Sequence, residues 1–338
     1  MNFATAKFIV PITRARSSMA EQTTYTRPVV GSSPAGPTVM SEQNIKNFQQ
    51  AIWDFYKTNR RDFPWRETTD PYKILVSEIM LQQTQTDRVI RYYEKWLKRF
   101  PDFKTLAAAT FSEIYPYWQG LGYNRRGLNL QKVAQKAVLE YRGTLPKEVD
   151  LLEEFPGIGP YTARAVSIFS FNTPVACIET NIRRVFIHHF FPESRNHAEI
   201  NVQTRARPAL PDRPSPELRG KKIDDEEILK IAERALPAGK AREWHWALMD
   251  YGTHLKSQVP NPNRRHKNYR IQPKFEGSLR QIRGAALRIL SGESANLKNL
   301  TARIQKATEQ DTERIKKVIE TLEKERLIKQ DNNIYSLN

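Results

Sequence analysis

The sequence predicts a mostly helical, all-α protein that ends in a small unit of three helices and a hairpin. Three observations lead there. From Ile45 to Ile187 apolar residues recur at helical spacing and strand signals are scarce. Helix starts carry their usual residues, as in Asp70-Pro71, an N-cap followed by a first-turn proline. From about Ser278 three amphipathic stretches precede "RLIKQDNNIYSLN", two apolar runs turning at Asp331-Asn332-Asn333.

Residues 1–39 differ from the rest, with one acid, Glu21, and several Pro, Ser and Thr. The stretch "ARSSMAEQTTYTRPVVGSSPAGPT" resembles a conceptually translated transfer-RNA gene. That makes 1–39 a non-native extension, with Met40 as the natural start. A disordered or targeting leader is the other reading.

After Asp70-Pro71, "DPYKILVSEIMLQQTQ" gives an apolar stripe of Ile74, Leu75 and Ile79. Thr86-Asp87 open the next helix, with Val89, Ile90, Tyr93 and Leu97 facing inward. Leu151–Glu154 end a helix. Ala163, Val166, Phe169 and Phe171 mark the buried face of another, and "VACI" before Glu179 reads as strand-like. His188-His189 fits a helix better than a ligand set. Residues 193–222 are polar and rich in Pro and Arg, a surface insertion. Helix resumes at Asp224 and runs through "REWHWALMDYG"; "NPNRRHKNYRIQPKF" is then a basic loop interleaved with aromatics, or a plain solvated linker. In the last segment "LRQIRGAALRIL", Leu297–Ile304 and a helix capped at Asp311-Thr312 make, with the hairpin, a winged-helix pattern. It would bind DNA, bind a partner, or only cap the fold.

Lys and Arg total 54 against 37 acids among 338 residues, a formal charge of +17, which suggests a polyanion partner and about two domains. No apolar run is long enough to span a bilayer, and mean hydropathy is −0.64, so a membrane partner is not expected. The single cysteine, Cys177, excludes an internal disulfide and a cysteine-based metal cluster.

Residues 155–163, "FPGIGPYTA", set two glycines between a helix end and a helix start with Pro160 at its first position. Unpaired N–H groups at such an end suit an anion. A plain interhelical turn is the alternative.

This stretch resembles the helix–hairpin–helix of the base-excision DNA glycosylases related to endonuclease III. Within them the chain is most similar to the A/G-specific adenine glycosylases. The resembling segments are "FPWRETTDPYKILVSEIMLQQTQ", "WQGLGYNRRGLNLQ", "LEEFPGIGPYTARAV", "ETNIRRV" and "ALMDYG", in the family's order across most of 45–262. The resemblance implies a two-lobed helical fold with DNA in the cleft and an extruded base between the lobes. Residues 66–167 would form a six-helix lobe ending in the hairpin. Residues 40–65 with 168–262 would form the second lobe, followed by a basic linker, 263–277, and the winged-helix-like unit, 278–338.

The family's roles fall on this chain as follows. Glu78 resembles the acid that protonates the leaving purine, and a half-buried carboxyl there would have a raised pKa. Tyr161 stands where lyase members carry a nucleophilic lysine, which implies hydrolysis without a Schiff base. Trp65 and Arg66 would line the base pocket, and Asp250 would bond the extruded adenine or be an exposed helix acid. Gln82, Gln83 and Tyr123 resemble the wedge that fills the gap in the duplex, with ordinary packing as the alternative. Gly157, Gly159, Thr162, Arg183, Arg184, Arg264, Arg265 and Lys267 are expected DNA contacts. A monovalent cation at the 157–159 hairpin is compatible with the pattern.

Three departures stand out. Glu179, beside Asn181, replaces the family's Asp, whose charge faces the sugar cation; its extra methylene adds a reach of roughly 1.5 Å. Thr180, in place of a glycine, belongs to the same adjustment. The four cysteines expected after "ALMDYG" are missing, so no iron–sulfur cluster is expected and Arg264, Arg265 and Lys267 could supply phosphate contacts instead. The tail resembles a winged helix rather than a β-rich reader of 8-oxoguanine.

The leading expectation is a monofunctional, monomeric, cytoplasmic enzyme. It would remove adenine opposite guanine or 8-oxoguanine from double-stranded DNA. A thymine or uracil mismatch glycosylase, and a DNA-binding homologue weakened in catalysis by Glu179, remain the alternatives.

Overall fold

The computed structural model describes residues 41–191 and 222–338. The expected extension 1–39 and nearly all of the insertion 193–222 lie outside the described residues.

α1 (Glu42–Asn59) starts at Ser41, whose side chain accepts from Asn44 N–H, and leads into a 3₁₀ turn, Pro64–Arg66. α2 (Pro71–Leu81) follows. It is capped by the Asp70 carboxylate and buries residues on every side, from Tyr72 and Ile74 to Glu78 and Met80. A helix apolar all round belongs at the centre of a packed lobe. α2 packs there against α3 (Thr86–Arg99), α6 (Arg125–Glu140) and α8 (Pro160–Phe171), with α4 (Phe103–Ala108) and α5 (Phe111–Trp118) against α6. A short α7 (Val149–Glu153) precedes the 155–160 turn.

The second lobe joins α1, α9 (Thr180–Phe190), α10 (Asp225–Arg234) and α11 (Ala241–Gln258). Its core holds an aromatic cluster in which Phe48 touches Phe186, Phe190 and Trp244 at ring-centre distances of 5.5, 4.9 and 5.8 Å. α8 packs on both α2 and α11 and so ties the lobes together. Gly252 of α11 lies against the Asn181 backbone of α9, where a Cβ would collide with the carbonyl.

The C-terminal unit consists of α12 (Leu279–Gly292), β1 (Ala295–Asn296), α13 (Leu297–Thr308), α14 (Thr312–Lys324), β2 (Ile328–Asp331) and β3 (Ile334–Leu337). Its antiparallel sheet has the order β1-β3-β2, one strand more than the expected hairpin. Asn332 and Asn333 both take positive φ, 47° and 64°, and make the two-residue turn that fixes Asp331 opposite Ile334. The unit packs on the first lobe through α12 and α5, and Ser112 N–H donates to the Asn338 carbonyl at 3.0 Å.

Three expectations fail locally. Phe171 is exposed, because α8 ends there at Asn172 in the left-handed conformation. "VACI" forms no strand; its Cys177 N–H donates to His245 Nε2 at 3.2 Å instead. The start of the basic linker is part of the second lobe. Asn263 and His266 are buried, Asn263 donates to the Thr180 carbonyl, and Ile223 bridges to His266.

Candidate active site and nucleic-acid interface

Glu78 sits on the buried central helix, 6% exposed, and accepts a hydrogen bond from the Tyr161 hydroxyl at 3.0 Å. Burial raises its pKa to about 7; the tyrosine hydrogen bond opposes the rise and the neighbouring charge of Glu179 adds to it. Burial, then Glu78 itself, pushes the Tyr161 hydroxyl well above its ordinary range. Tyr161 therefore stays protonated and donates.

Glu179 is the N-cap of α9. Its Oε1 accepts from Asn181 N–H at 2.7 Å and Ile182 N–H at 2.9 Å, while Oε2 takes the Asn181 amide at 3.3 Å. Burial raises this carboxyl above its ordinary value too, against the opposing pull of two backbone N–H groups and the charges of Arg184 and Arg183. Glu78 has only a tyrosine hydroxyl on its side of the balance. Glu78 is thus the better proton holder of the two, while the N-cap bonds and the nearby arginines favour the ionised form of Glu179.

Both open on a cavity of about 610 Å³ between the lobes, shared with Asn181 and Tyr161. Its walls are aromatic. Phe63 stacks on Trp65 at 5.1 Å and 12°, and Phe169 on Trp246 at 6.0 Å and 13°. The Arg66 guanidinium lies 5.1 Å from the Phe63 ring and 5.5 Å from that of Trp246. The volume and the flat walls suit a planar heterocycle.

At the mouth stand Gln82 and Gln83, just past the end of α2, and across from them the 120–123 turn. Gln83 and Tyr123 both hold positive φ, 57° and 48°, which non-glycine residues keep only under support. The support is Arg126. Its Nη1 donates to the carbonyls of Ile79 at 2.7 Å and Gln82 at 2.5 Å, and its Nη2 to those of Leu121 and Gly122 at 3.2 Å. Gln82 also donates to the Thr162 hydroxyl at 3.2 Å, which ties the loop to the start of α8.

With this geometry in view, the relatives are informative. The model of the HhH-GPD superfamily of base excision DNA repair proteins matches residues 76–208. A thymine/uracil-DNA glycosylase of Methanothermobacter thermautotrophicus is 30% identical over 207 residues, covering 61% of this chain and 83% of that protein. The chain belongs to the HhH-GPD superfamily. An adenine DNA glycosylase of Mycobacterium tuberculosis H37Rv is 37% identical over 150 residues, 44% of this chain. A human adenine DNA glycosylase is 37% identical over 150 residues, 42% of this chain. The match spans 49% of the mycobacterial protein and 28% of the human one. A solved thermostable thymine-DNA glycosylase shares the fold at a TM-score of 0.51 and 29% identity, over 62% of this chain and 86% of that one.

On this HhH-GPD scaffold the expected site residues separate. Glu78, Glu179, Tyr161, Asn181, Trp65, Arg66, Gln82, Gln83, Gly159 and Thr162 share the cavity wall. Asp250 does not. It is 2% exposed and its carboxylate accepts from Arg61 N–H and Nε and from both Arg66 terminal nitrogens, at 2.7–3.1 Å. Four donors fill its acceptor sites, so it orients Arg66 and Arg61 rather than bonding a base. Thr162 is buried against Gln82 and offers nothing to a strand outside.

Gly157 takes φ 79°, and a Cβ there would strike the Asn129 side chain. Gly159 caps α8, and a Cβ there would face open space, the direction from which a phosphate could approach the helix end. Arg183 and Arg184 are corrected. Arg183 makes a double ion pair with Asp225, both contacts 2.7 Å, and Arg184, 4% exposed, donates to Asn181 Oδ1 at 2.7 Å and the Gly252 carbonyl at 2.6 Å. Arg184 holds Asn181 and, through it, Glu179. Arg265 is spent on the Phe191 carbonyl. Arg264 is exposed, and Lys267 is exposed with an ion pair to Asp224 at 3.3 Å.

The sequence reading missed Phe63, Trp246, Arg61 and Arg126. Arg126 had a signal. It lies in the first turn of α6, where the helix dipole disfavours a cation, so a compensating set of carbonyls was to be sought.

Proposed function

We propose that the protein is a monofunctional, monomeric DNA glycosylase that hydrolyses the N-glycosidic bond of adenine mispaired with guanine or 8-oxoguanine in double-stranded DNA. The observation that carries this is the Glu78–Tyr161 pair, a carboxyl with pKa raised to about 7 held by a hydroxyl that cannot form a Schiff base. In this reading the duplex is pried open by Gln82, Gln83 and Tyr123, and the adenine enters the aromatic slot. Glu78 gives its proton to a ring nitrogen of the base. The C1′–N9 bond breaks with its electron pair going to the base, and the Glu179 carboxylate faces the resulting sugar cation. A water adds to C1′ and loses a proton to a carboxylate, leaving an abasic site. Tyr161 orients Glu78 and takes no covalent part.

With one cysteine, buried Cys177, the chain would do this without an iron–sulfur cluster. Exposed Arg264 and Lys267 would then hold phosphates near the loop where the cluster's ligands are expected.

A thymine or uracil mismatch activity is the second reading, favoured by the 83% coverage of the archaeal thymine/uracil relative. Single-turnover excision on duplexes carrying adenine, thymine or uracil opposite guanine, and adenine opposite 8-oxoguanine, separates the two. Adenine release supports the first reading, and thymine or uracil release alone replaces it.

A further inference from the structure

Residues 268–278, which connect the second lobe to α12, do not run clear of the cavity mouth. They cross the two loops that carry Gln83 and Tyr123. Gln272 Nε2 donates to Gln83 Oε1 at 3.2 Å and to the Tyr123 hydroxyl. One amide nitrogen has two hydrogens and can make both bonds. Arg280, at the start of α12, places its guanidinium 6.0 Å from the Tyr123 ring and 5.9 Å from that of Phe275. Its Nη2 donates to the Pro273 carbonyl at 2.6 Å and so holds the strap in place. Gln83, Gln272 and Phe275 are exposed, and Tyr123 is 39% exposed. None of these side chains is needed to close a core, yet they meet at the strained wedge.

We propose that Gln272 and Arg280, reaching the wedge from the strap and the C-terminal unit, discriminate the base opposite the extruded nucleotide. The proposal rests on the glycosylase reading above. Extrusion leaves that base unpaired against Gln83 and Tyr123, where Gln272 and Arg280 already lie. A guanidinium has donors only, and a glutamine amide has both a donor and an acceptor. Read from its major-groove edge, guanine presents two acceptors, O6 and N7, that a guanidinium matches, whereas that edge of cytosine presents only an amino donor. The strap therefore favours guanine over cytosine at the orphaned position. The rival role for the same geometry is a cover that DNA must displace.

The test uses the full chain and two duplexes carrying a tetrahydrofuran abasic analogue opposite guanine or opposite cytosine, read by fluorescence anisotropy. The expected result is a wild-type preference for guanine that falls by about fivefold or more in Gln272→Ala and in Arg280→Ala, the scale of one lost base-edge contact. Gln272 is on the surface strap and Arg280 in the first turn of α12, and a thermal melt confirms that each variant folds. An unchanged guanine-to-cytosine ratio overturns the proposal. Uniform tightening would make the strap a cover, and uniform weakening a general anchor. A wild type with no preference overturns it as well. Adenine excision is assayed beside binding. Its absence with the ratio effect intact would sink the adenine reading and leave the strap's role standing.

Discussion

Glu179→Asp restores the residue usual in the family, and the structure predicts that it harms this protein. Glu179 uses its longer arm to fold back over its own helix end, with cap bonds of 2.7 and 2.9 Å, while its second oxygen takes the Asn181 amide and the residue lines the cavity. Aspartate is among the preferred N-caps, so the shorter side chain can keep both backbone donors. Stability should then change by no more than about 0.5 kcal/mol. The carboxylate, however, withdraws by roughly 1.5 Å from where the sugar cation forms. Misplacing a catalytic group by about 1 Å costs on the order of a hundredfold. Single-turnover excision on an adenine mismatch should slow by one to two orders of magnitude, on the same scale, with the melting temperature nearly unmoved.

Two companions isolate the causes. Glu179→Gln keeps an acceptor for the cap and removes the charge, so excision should nearly vanish in a stable protein. Glu179→Ala also loses the cap and should cost about 0.5–2 kcal/mol of stability. A Glu179→Asp enzyme as fast as wild type, or faster, would refute the reasoning, because it would mean that the backbone has not adapted to glutamate.

The remaining predictions concern protons and supports. With its pKa raised to about 7, Glu78 is protonated below that pH, so excision should be flat in mild acid and fall above about pH 7; Glu78→Gln should abolish turnover while DNA binding survives, and a wild-type rate that keeps rising above pH 8 would contradict the acid role. The same shift has a stability consequence, since the folded state holds this proton more tightly than the ordinary value of 4.5 allows an unfolded chain to. Stability is thus lost as pH rises from about 4.5 to about 7, by at most about 3 kcal/mol, and the melting temperature of Glu78→Gln relative to wild type should increase between pH 5 and pH 8. Tyr161→Phe removes the hydrogen bond that holds the Glu78 pKa down, so the alkaline limb of the rate profile should move upward; a downward move would reverse the assignment. Borohydride should trap no wild-type adduct with substrate DNA, and efficient trapping would reveal a lysine acting as nucleophile. Arg126→Ala strands several carbonyls of the two wedge loops and should cost about 2–4 kcal/mol in urea melts and weaken binding to abasic duplex; a neutral substitution would mean that the loops hold themselves.

The parts of this architecture that are readable in the sequence are those fixed by near neighbours. Asp70 and Asp311 cap the helices they precede, and the Asn332-Asn333 pair turns the hairpin, because each acts on backbone within a few residues. The Glu78 environment was readable for a related reason, since a carboxylate on a helix that is apolar all round is drawn out of bulk water. Asp250 was not readable. Its fate is set by Arg66, 184 residues away in the chain, and an acid midway along α11 gives no sign of that partner. "VACI" misled because the four residues have strand composition, while their backbone is claimed by His245 rather than by another strand. The strap at Gln272 was hidden too, because an exposed polar loop carries no periodicity from which its landing place could be inferred.

Arginines show most clearly why composition and contact must be kept apart. The net charge of +17 points to a polyanion, and runs such as Arg183-Arg184 and Arg264-Arg265 look like the contacts. Yet Arg61 and Arg66 close on Asp250, Arg126 on loop carbonyls, Arg183 on Asp225, Arg184 on Asn181 and Gly252, and Arg265 on Phe191. A planar fork with five donors is well suited to such cross-linking, and a buried one is costly to release. These six side chains therefore cross-link the scaffold that carries the cavity and its mouth instead of gripping a strand. The charge left for phosphates sits on exposed groups such as Arg264, Lys267, Arg270 and Lys274, on or just before the segment that leads to the wedge. The basic surface and the strap would then act together, one drawing the backbone in while the other meets the base left behind.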